Sequence, residues 1–363
     1  MKNKMTYIFS CALLAASFFV SSSCTSIHNF AIEIREPAKI TFPPNVSKIV
    51  VVNNAASSAN GNFGTECFFN GKEIDSPFTI KFDSAIWIST LRLTEGIDAE
   101  KFFSKAMIYK IPVRTDKTSL EIRLIPETVK QTIFDTSDAD AIISIDRCLF
   151  KYTQKINQLA TGYSLEPYYT FVNTKTIVDL TCSAYLRERE KPLTTFMLRD
   201  SLFFTEQVSN DSILLFDEIP NLMITEAAAH IGEKAVPYFT PSWKRVDRSL
   251  YTSYESRMKE ALAYAKADKW IAAENIWLQL YNGKTNHKAQ AYLAGNLAVA
   301  SEIQDDLNKA YDWAQKAEML FKKENEQKNK PEIDRIKSYI LSLTERINND
   351  ILLNKQLGIE QSP

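Results

Sequence analysis

The chain has 363 residues, of which 45% are hydrophobic, 24% charged and 11% aromatic. These values are ordinary for a globular protein and argue against extended disorder, and the length favours two domains. The formal net charge of −1 shows no excess of basic over acidic residues, so nucleic acid is not an expected partner.

The amino terminus has the plan of a secretory signal peptide. Lys2 and Lys4 form a short positive segment, residues 5–20 are largely apolar, and small serines precede Cys24. The position of Cys24 resembles that of the acylated cysteine in the bacterial lipobox, although Ser21 stands where that motif usually has an aliphatic residue. We therefore expect residues 1–23 to be removed, Cys24 to be lipidated and residues 24–38 to act as a tether. Cleavage that leaves Cys24 unmodified is the alternative.

Two further features of the sequence bear on location. No acidic cluster follows Cys24 and no second apolar run is long enough to span a bilayer, so we expect an outer-membrane protein that faces the periplasm. The mature chain keeps three more cysteines, Cys67, Cys148 and Cys182, without a CxxC spacing. One pair could form a disulfide in an oxidising compartment, but the strand-like surroundings of the last two favour buried free thiols.

Residues 39–241 are expected to form an α+β or α/β domain with one mixed sheet. Patterns of apolar residues predict strands at 40–42, 48–53, 106–113, 141–145, 150–155, 176–185 and 193–205. Capping residues and spacing predict helices at 83–97, 126–134 and 221–236. Pro237 is expected to end the last helix, and small side chains such as Gly232 would let that helix lie close to the sheet.

Residues 242–353 are predicted to form an all-α domain of tetratricopeptide-like helical hairpins, followed by a tail at 354–363. Ala273 and Ala310 are 37 positions apart, close to the roughly 34-residue period of that repeat. A connector at 241–254 precedes the hairpins, and a capping helix begins at Pro331. Two hairpins and a cap bury little surface, so we expect them to dock on the sheet domain.

The remaining motifs do not indicate catalysis. His28, His230 and His287 have no partner at a useful spacing, the Gly61–Gly64 loop lacks the Lys-Ser/Thr pair of a phosphate loop, and no further ligands support a metal at Asp138 and Asp140. We expect no catalytic residues, no metal and no cofactor, and therefore no enzyme.

The order of these features resembles a family of uncharacterised Gram-negative lipoproteins with a carboxy-terminal tetratricopeptide-like region. The resemblance rests on residues 48–53, 139–145, the helix around Ala228, and 270–277. It implies an architecture and a compartment and supplies no activity. By analogy with tetratricopeptide grooves, the first helix of each hairpin would face a bound peptide through Glu255, Met258, Leu262, Lys266, Tyr292, Val299 and Glu302.

The expected function is that of a membrane-anchored periplasmic lipoprotein that acts as a scaffold or adaptor. Its partners would be the lipid bilayer, through Cys24, and an envelope protein or peptide. The alternatives are a glycan-binding or hydrolytic envelope protein that uses the sheet domain, and a structural subunit of an envelope assembly.

Overall fold

A computed structural model describes residues 26–56, 64–76, 80, 82–114, 121–160, 168–208 and 218–359. The described residues divide into two compact units. The sheet unit contains Pro37–Ser242 and the residues after 354, and the helical unit contains residues 26–36 and Trp243–Asn354. Cys24 and residues 61–63 lie outside the described residues, so the predictions made on them stay predictions.

The elements follow one another in a mixed order. The described strands are β1 (Ser26–Glu36), β2 (Lys48–Asn53), β3 (Thr65–Phe69), β4 (Lys72–Ile74), β5 (Lys105–Ile108), β6 (Ala141–Ala160), β7 (Tyr168–Leu186), β8 (Thr194–Val208) and β9 (Ser242–Thr252). The described helices are α1 (Phe82–Ala99), α2 (Glu127–Ser137), α3 (Glu218–Phe239), α4 (Ser256–Lys266), α5 (Trp270–Gly283), α6 (His287–Ile303), α7 (Leu307–Asn325) and α8 (Lys330–Leu357). A mixed-sheet domain is therefore followed by an all-helical region of five helices, as the sequence predicts.

Strand β6 organises the sheet unit. Its first residues pair in parallel with β2, its later residues pair in parallel with β3, and its other edge pairs with the antiparallel β7. Strands β5 and β8 extend the sheet beyond β2 and β7, and β4 extends it beyond β3. The continuous apolar run of β2 is buried on both faces, because Ile49 and Val51 join one core cluster and Val50 and Val52 join another.

Helices α1 and α3 approach each other closely in the sheet unit. A Cβ placed on Gly232 of α3 would lie 2.5 Å from the carbonyl oxygen of Ser89 in α1, and one placed on Gly96 of α1 would lie 2.4 Å from Val236. Ser89 also donates a hydrogen bond to the carbonyl of Ala228 over 2.9 Å. The small residues of α3 therefore serve a helix–helix contact, and not only the contact with the sheet that the sequence suggests.

Three local predictions in the sheet unit need correction. Residues 40–42 do not form a strand, and the N–H of Ile40 donates instead to the carbonyl of Tyr238. Helix α3 continues past Pro237 to Phe239, because the rings of Tyr238 and Phe239 pack on Phe196 at 4.1 and 5.5 Å and hold the last turn in place. The strand expected at 106–113 ends at Ile108.

The helical unit contains two strands that the sequence analysis did not predict. The expected tether is strand β1 from Ser26 onward, and the expected connector is strand β9; the two pair as a two-stranded sheet. Ser249 contacts Asn29, and Lys244 contacts Glu36. Residue numbers therefore rise along one strand as they fall along the other, as in an antiparallel pair.

Helices occupy the stretch in which the sequence predicts them. The small residues at the close-packing positions, Ala261, Ala273, Ala298 and Ala310, are fully buried. Helix α8 runs to Leu357, into the stretch expected as a tail. Within the described ranges, no helix combines the length and the apolarity that crossing a bilayer requires.

Candidate functional site

Strand β9 lies against helix α6 and is held there through its backbone. The side chain of Asn296 accepts a hydrogen bond from the N–H of Tyr251 and donates one to the carbonyl of the same residue, both over 2.7 Å. Asn296 is completely buried, and so are the side chains of Leu250 and Tyr251 on the strand, which join the two core clusters of the helices. The side-chain amide of Asn296 therefore pairs with both backbone groups of Tyr251, as the backbone of a neighbouring strand would.

An ion cluster fixes the same strand three residues earlier. Arg248 donates from Nε and Nη2 to the two carboxylate oxygens of Glu302 over 2.6 and 2.7 Å. Tyr339 of α8 donates to Glu302 over 2.7 Å, and Arg346 donates to it over 3.0 Å. Glu302 is fully buried and Arg248 is 7% exposed, so this is a desolvated pair whose oxygen atoms are satisfied by three donors.

The pKa values of the cluster follow from its geometry. Burial by itself raises the pKa of Glu302, but the bonds from Arg248, Tyr339 and Arg346 outweigh burial and hold that pKa below its ordinary value. Burial, together with the neighbouring carboxylate, raises the pKa of Tyr339 well above its ordinary value. Glu302 is therefore ionised, and Tyr339 is a neutral donor, at neutral pH.

Strand β9 therefore fills the part of the predicted groove that Val299 and Glu302 form. Glu302 faces Arg248 and does not face solvent, and Val299 is buried where β9, α6 and α8 enclose a cavity of about 240 Å³. On α4, Leu262 packs against the core of the hairpins and Lys266 is exposed. These four of the seven predicted groove residues do not share one open surface.

The other three predicted residues meet at an open pocket beside the end of β9. Glu255, Met258 and Tyr292 line a cavity of about 360 Å³ between the start of α4 and the first turns of α6. Its floor is apolar, formed by Met258, Tyr292 and Leu293. Its rim is polar, formed by Thr252, Ser253, Glu255, Lys284, Asn286 and Lys288, with the small Ala289 among them.

The pocket has a positive balance of charge. Lys284 pairs with Glu255 over 2.8 Å, which neutralises both groups. Lys288 lies 5.8 Å from the ring centroid of Tyr292 and forms no ion pair among the described residues. The first turn of α6, capped by Asn286 through the N–H of Ala289, adds the positive end of a helix dipole. An apolar floor under a positive rim suits a ligand that carries both an apolar group and a carboxylate.

Sequence reasoning missed the residues that hold β9. The available signal was Asn296, a polar residue inside the run Leu293–Ala300 of otherwise apolar and small residues, where an unpaired amide would be costly. Its partner Tyr251 lies 45 positions away, and that pairing has no local signature.

The sheet unit contains one buried carboxyl group of note. Asp146 lies at a register shift in β6, is fully buried, and accepts hydrogen bonds from Ser144 over 2.6 Å and from Asn54 over 2.9 Å. Burial raises its pKa, against the hydrogen bonds that lower it. Cys148 and Cys182, like Cys67, are buried free thiols, as the sequence favoured, and burial raises the pKa of Cys148 to about 12.

The paired aspartates and the histidines have structural partners. Asp140 accepts the N–H groups of Ser47 and Lys48 at the start of β2, each over 2.8 Å, and Asp138 pairs with the Lys48 ammonium over 2.6 Å. His230 contacts Asp200 over 3.0 Å. No cluster of three or more metal-ligating side chains occurs in the described part of the chain.

The fold and the sites together define a two-unit protein, with a mixed-sheet unit followed by a helical one. Residues 46–251 match the model of a family described as a domain of unknown function, DUF8603, and residues 259–345 match a second such model, DUF6340. Since the first match covers more than half of the chain, the protein belongs to the DUF8603 family. The search of curated proteins found no match.

Two solved structures have a remote likeness to the chain. A PelC dodecamer from Paraburkholderia phytofirmans shares 9% identity, with 58% of this chain and 97% of that chain covered and a TM-score of 0.22. A hypothetical protein from Chlamydia trachomatis shares 12% identity, with 53% and 97% covered and a TM-score of 0.19. At these scores neither likeness bears on function.

Proposed function

We propose that the protein is a lipid-anchored scaffold or adaptor of a Gram-negative cell envelope that holds a peptide segment of a partner protein in the pocket beside β9. The observation that carries the proposal is this pocket of about 360 Å³, with its apolar floor and positive rim, in a unit built from helical hairpins. The peptide segment would present an apolar side chain to Met258 and Leu293 and an acidic group to Lys288.

The filled groove supports this location of the binding site. Displacing β9 would leave the Glu302 carboxylate buried without Arg248, which costs far more than a surface contact returns. The pocket needs no such displacement, because it opens where the strand ends at Thr252.

The lipid anchor is supported by the amino-terminal pattern around Cys24. Strand β1 begins at Ser26, so a single residue separates the proposed lipid from the helical unit. Two residues of extended chain span about 7 Å, which would hold the helical unit directly beside the bilayer. The proposed periplasmic face of the outer membrane follows from the same pattern.

A blocked pocket tests the proposal. Ala289 lies on the rim in the first turn of α6, so an Ala289→Phe side chain would fill the cavity while the backbone and the Asn286 cap remain. Lys316→Glu, on the exposed side of α7, is a matched control. In pull-downs from solubilised membranes, the blocked variant should lose a partner that the wild type and the control both retain. Identical partner sets for all three proteins would refute the pocket assignment.

A further inference from the structure

The outer face of the sheet unit carries a second candidate site, formed where β3, β6, β7 and β8 lie side by side. Residues paired across neighbouring strands share a face, so the register defines two adjacent rows. The first row is Glu66, Thr153, Lys175 and Phe203, and the second is Phe68, Lys155, Asn173 and Thr205. Most of these side chains, together with Lys151 and Ile177, line a shallow depression of about 460 Å³.

Two aromatic rings stand on the outer strands of this site, and two lysines lie on the strands between them. The ammonium of Lys155 lies 5.8 Å from the ring centroid of Phe68, and that of Lys175 lies 5.3 Å from the ring centroid of Phe203. Phe203 is 70% exposed, an unusual setting for a phenylalanine in the middle of a long strand. The two rings are three strand spacings apart, about 14 Å. Exposed aromatic surface inside a polar rim is typical of a binding surface.

The charge of the face is positive. Glu66 is the one carboxylate that lines the depression, and Lys151 neutralises it over 2.7 Å; the hydrogen bond from Lys151 lowers the pKa of Glu66, so this pair is ionised at neutral pH. Glu73, the partner of Phe68 on β4, is exposed at the edge of the same face. Lys155 and Lys175 form no ion pair within the described ranges. Two uncompensated ammonium groups therefore lie between the rings and attract an anionic ligand.

Hydroxyl and amide groups separate the rings. The hydroxyl of Thr205 donates to Asn173 Oδ1 over 2.9 Å, which leaves the amide N–H groups of Asn173 as donors. Thr153 lies between Lys151 and Lys155 along β6; its hydroxyl donates to Glu66 over 3.3 Å, and its oxygen remains an acceptor. Such groups pair with ligand hydroxyls, so the face is suited to a polar, hydroxyl-rich chain and not to an acyl chain.

We propose that this face binds an acidic polysaccharide whose sugars carry carboxylates. The C–H faces of sugar rings pack on Phe68 and Phe203, because these C–H groups are weakly positive and an aromatic face is negative. The sugar carboxylates pair with Lys155 and Lys175. A phosphate polymer fits less well, since no arginine lines the depression, arginine being the residue that matches phosphate geometry, and the site offers only two uncompensated charges. The site is independent of the pocket in the helical unit.

The test is calorimetric titration of the purified full-length protein with polygalacturonate, and separately with neutral dextran and with oligo(dT). The variants are Lys155→Glu/Lys175→Glu and Phe203→Ala, and Lys191→Glu in the exposed β7–β8 turn is the control. Binding to polygalacturonate should weaken by at least about tenfold in the double variant, since each attraction becomes a repulsion, and by severalfold in Phe203→Ala. Dextran should not bind, and Lys191→Glu should bind as the wild type does.

The outcomes against the proposal are equally specific. Absence of polygalacturonate binding, or unchanged affinity in the double variant, would overturn it. Oligo(dT) binding as tight as polygalacturonate binding would assign the face to single-stranded nucleic acid instead. Phe203 and both lysines are on the surface, so the thermal unfolding midpoints of the variants should equal that of the wild type, which separates lost binding from lost folding.

Discussion

Replacing Glu302 with glutamine should destabilise the helical unit more than any surface change. The substitution keeps the shape of the side chain but removes its charge, and leaves Arg248 buried at 7% exposure without a counter-ion. The glutamine amide also places donors against the donors of Arg248 and Arg346, where the carboxylate accepts bonds of 2.6–3.0 Å. Breaking a buried pair by removing one partner typically costs about 3–5 kcal/mol, and we expect Glu302→Gln to fall in that range.

Two further variants isolate the cause of this loss. Replacing both partners with apolar residues, as in Arg248→Met/Glu302→Met, should cost much less than Glu302→Gln, because the charge of Arg248 is removed with that of Glu302 and Arg346 keeps Asp305 as a partner over 3.0 Å. Lys322→Ala, which breaks the exposed pair with Glu318, should change stability by less than about 0.5 kcal/mol. Urea unfolding followed by tryptophan fluorescence measures all three.

The lowered pKa of Glu302 also predicts how the stability of the fold depends on pH. The pKa of Glu302 is lowered in the folded state, so its contribution is fully present above the unfolded value of about 4.3 and is lost as the pH falls through the folded value. Glu302→Gln should remove this part of the acid dependence. A loss of less than about 1 kcal/mol in Glu302→Gln at neutral pH would refute the view that Arg248 and Glu302 are a desolvated pair.

The remaining predictions concern the backbone, a buried acid and the anchor. Gly232→Ala should lower the free energy of unfolding by at least about 2 kcal/mol, because the new Cβ would lie 2.5 Å from the Ser89 carbonyl. Gly283→Ala meets no neighbour and should be neutral or stabilising by up to about 1 kcal/mol. Thermal unfolding compares the two variants, and equal effects would contradict the close packing of α1 and α3. The pKa of Asp146 is raised in the folded state, so stability is lost as the pH rises from the unfolded pKa of about 3.9 through the folded pKa. Asp146→Asn should remove this loss and be more stable than the wild type at neutral pH. Urea unfolding at several pH values measures the difference, and a wild type that is the more stable at neutral pH would refute the reasoning. Cys24→Ser should release the protein from membranes, and fractionation that finds it still membrane-bound would refute lipid anchoring at that residue.

The sequence predicts the parts of the fold that have a local cause. The apolar run of β2 indicates a strand covered on both faces, and buried alanines such as Ala273 and Ala310 indicate helices packed closely together. Pro237 was wrongly expected to end helix α3. The helix continues because the following aromatic residues stack on Phe196.

The candidate site was predicted only in part, for a physical reason. Strand β9 has the sequence of a polar connector. Its second half is partly buried because Asn296 and Glu302, 45 and 54 positions from their partners, bind its backbone and its arginine. The analogy with tetratricopeptide grooves named Met258 and Tyr292, which line the proposed pocket. It could not show that another part of the same chain covers Glu302.

The most direct test of the central claim is a selection of random peptides on the purified protein, with the pocket open or blocked. The account predicts enrichment of peptides that combine a large apolar residue with a nearby acidic one. Their binding should be lost in Ala289→Phe, weakened in Lys288→Glu and unchanged in Lys316→Glu. Peptides that bind the blocked variant as tightly as the wild type, or the absence of any enriched motif, would contradict the claim that the helical unit holds a partner in the pocket beside β9.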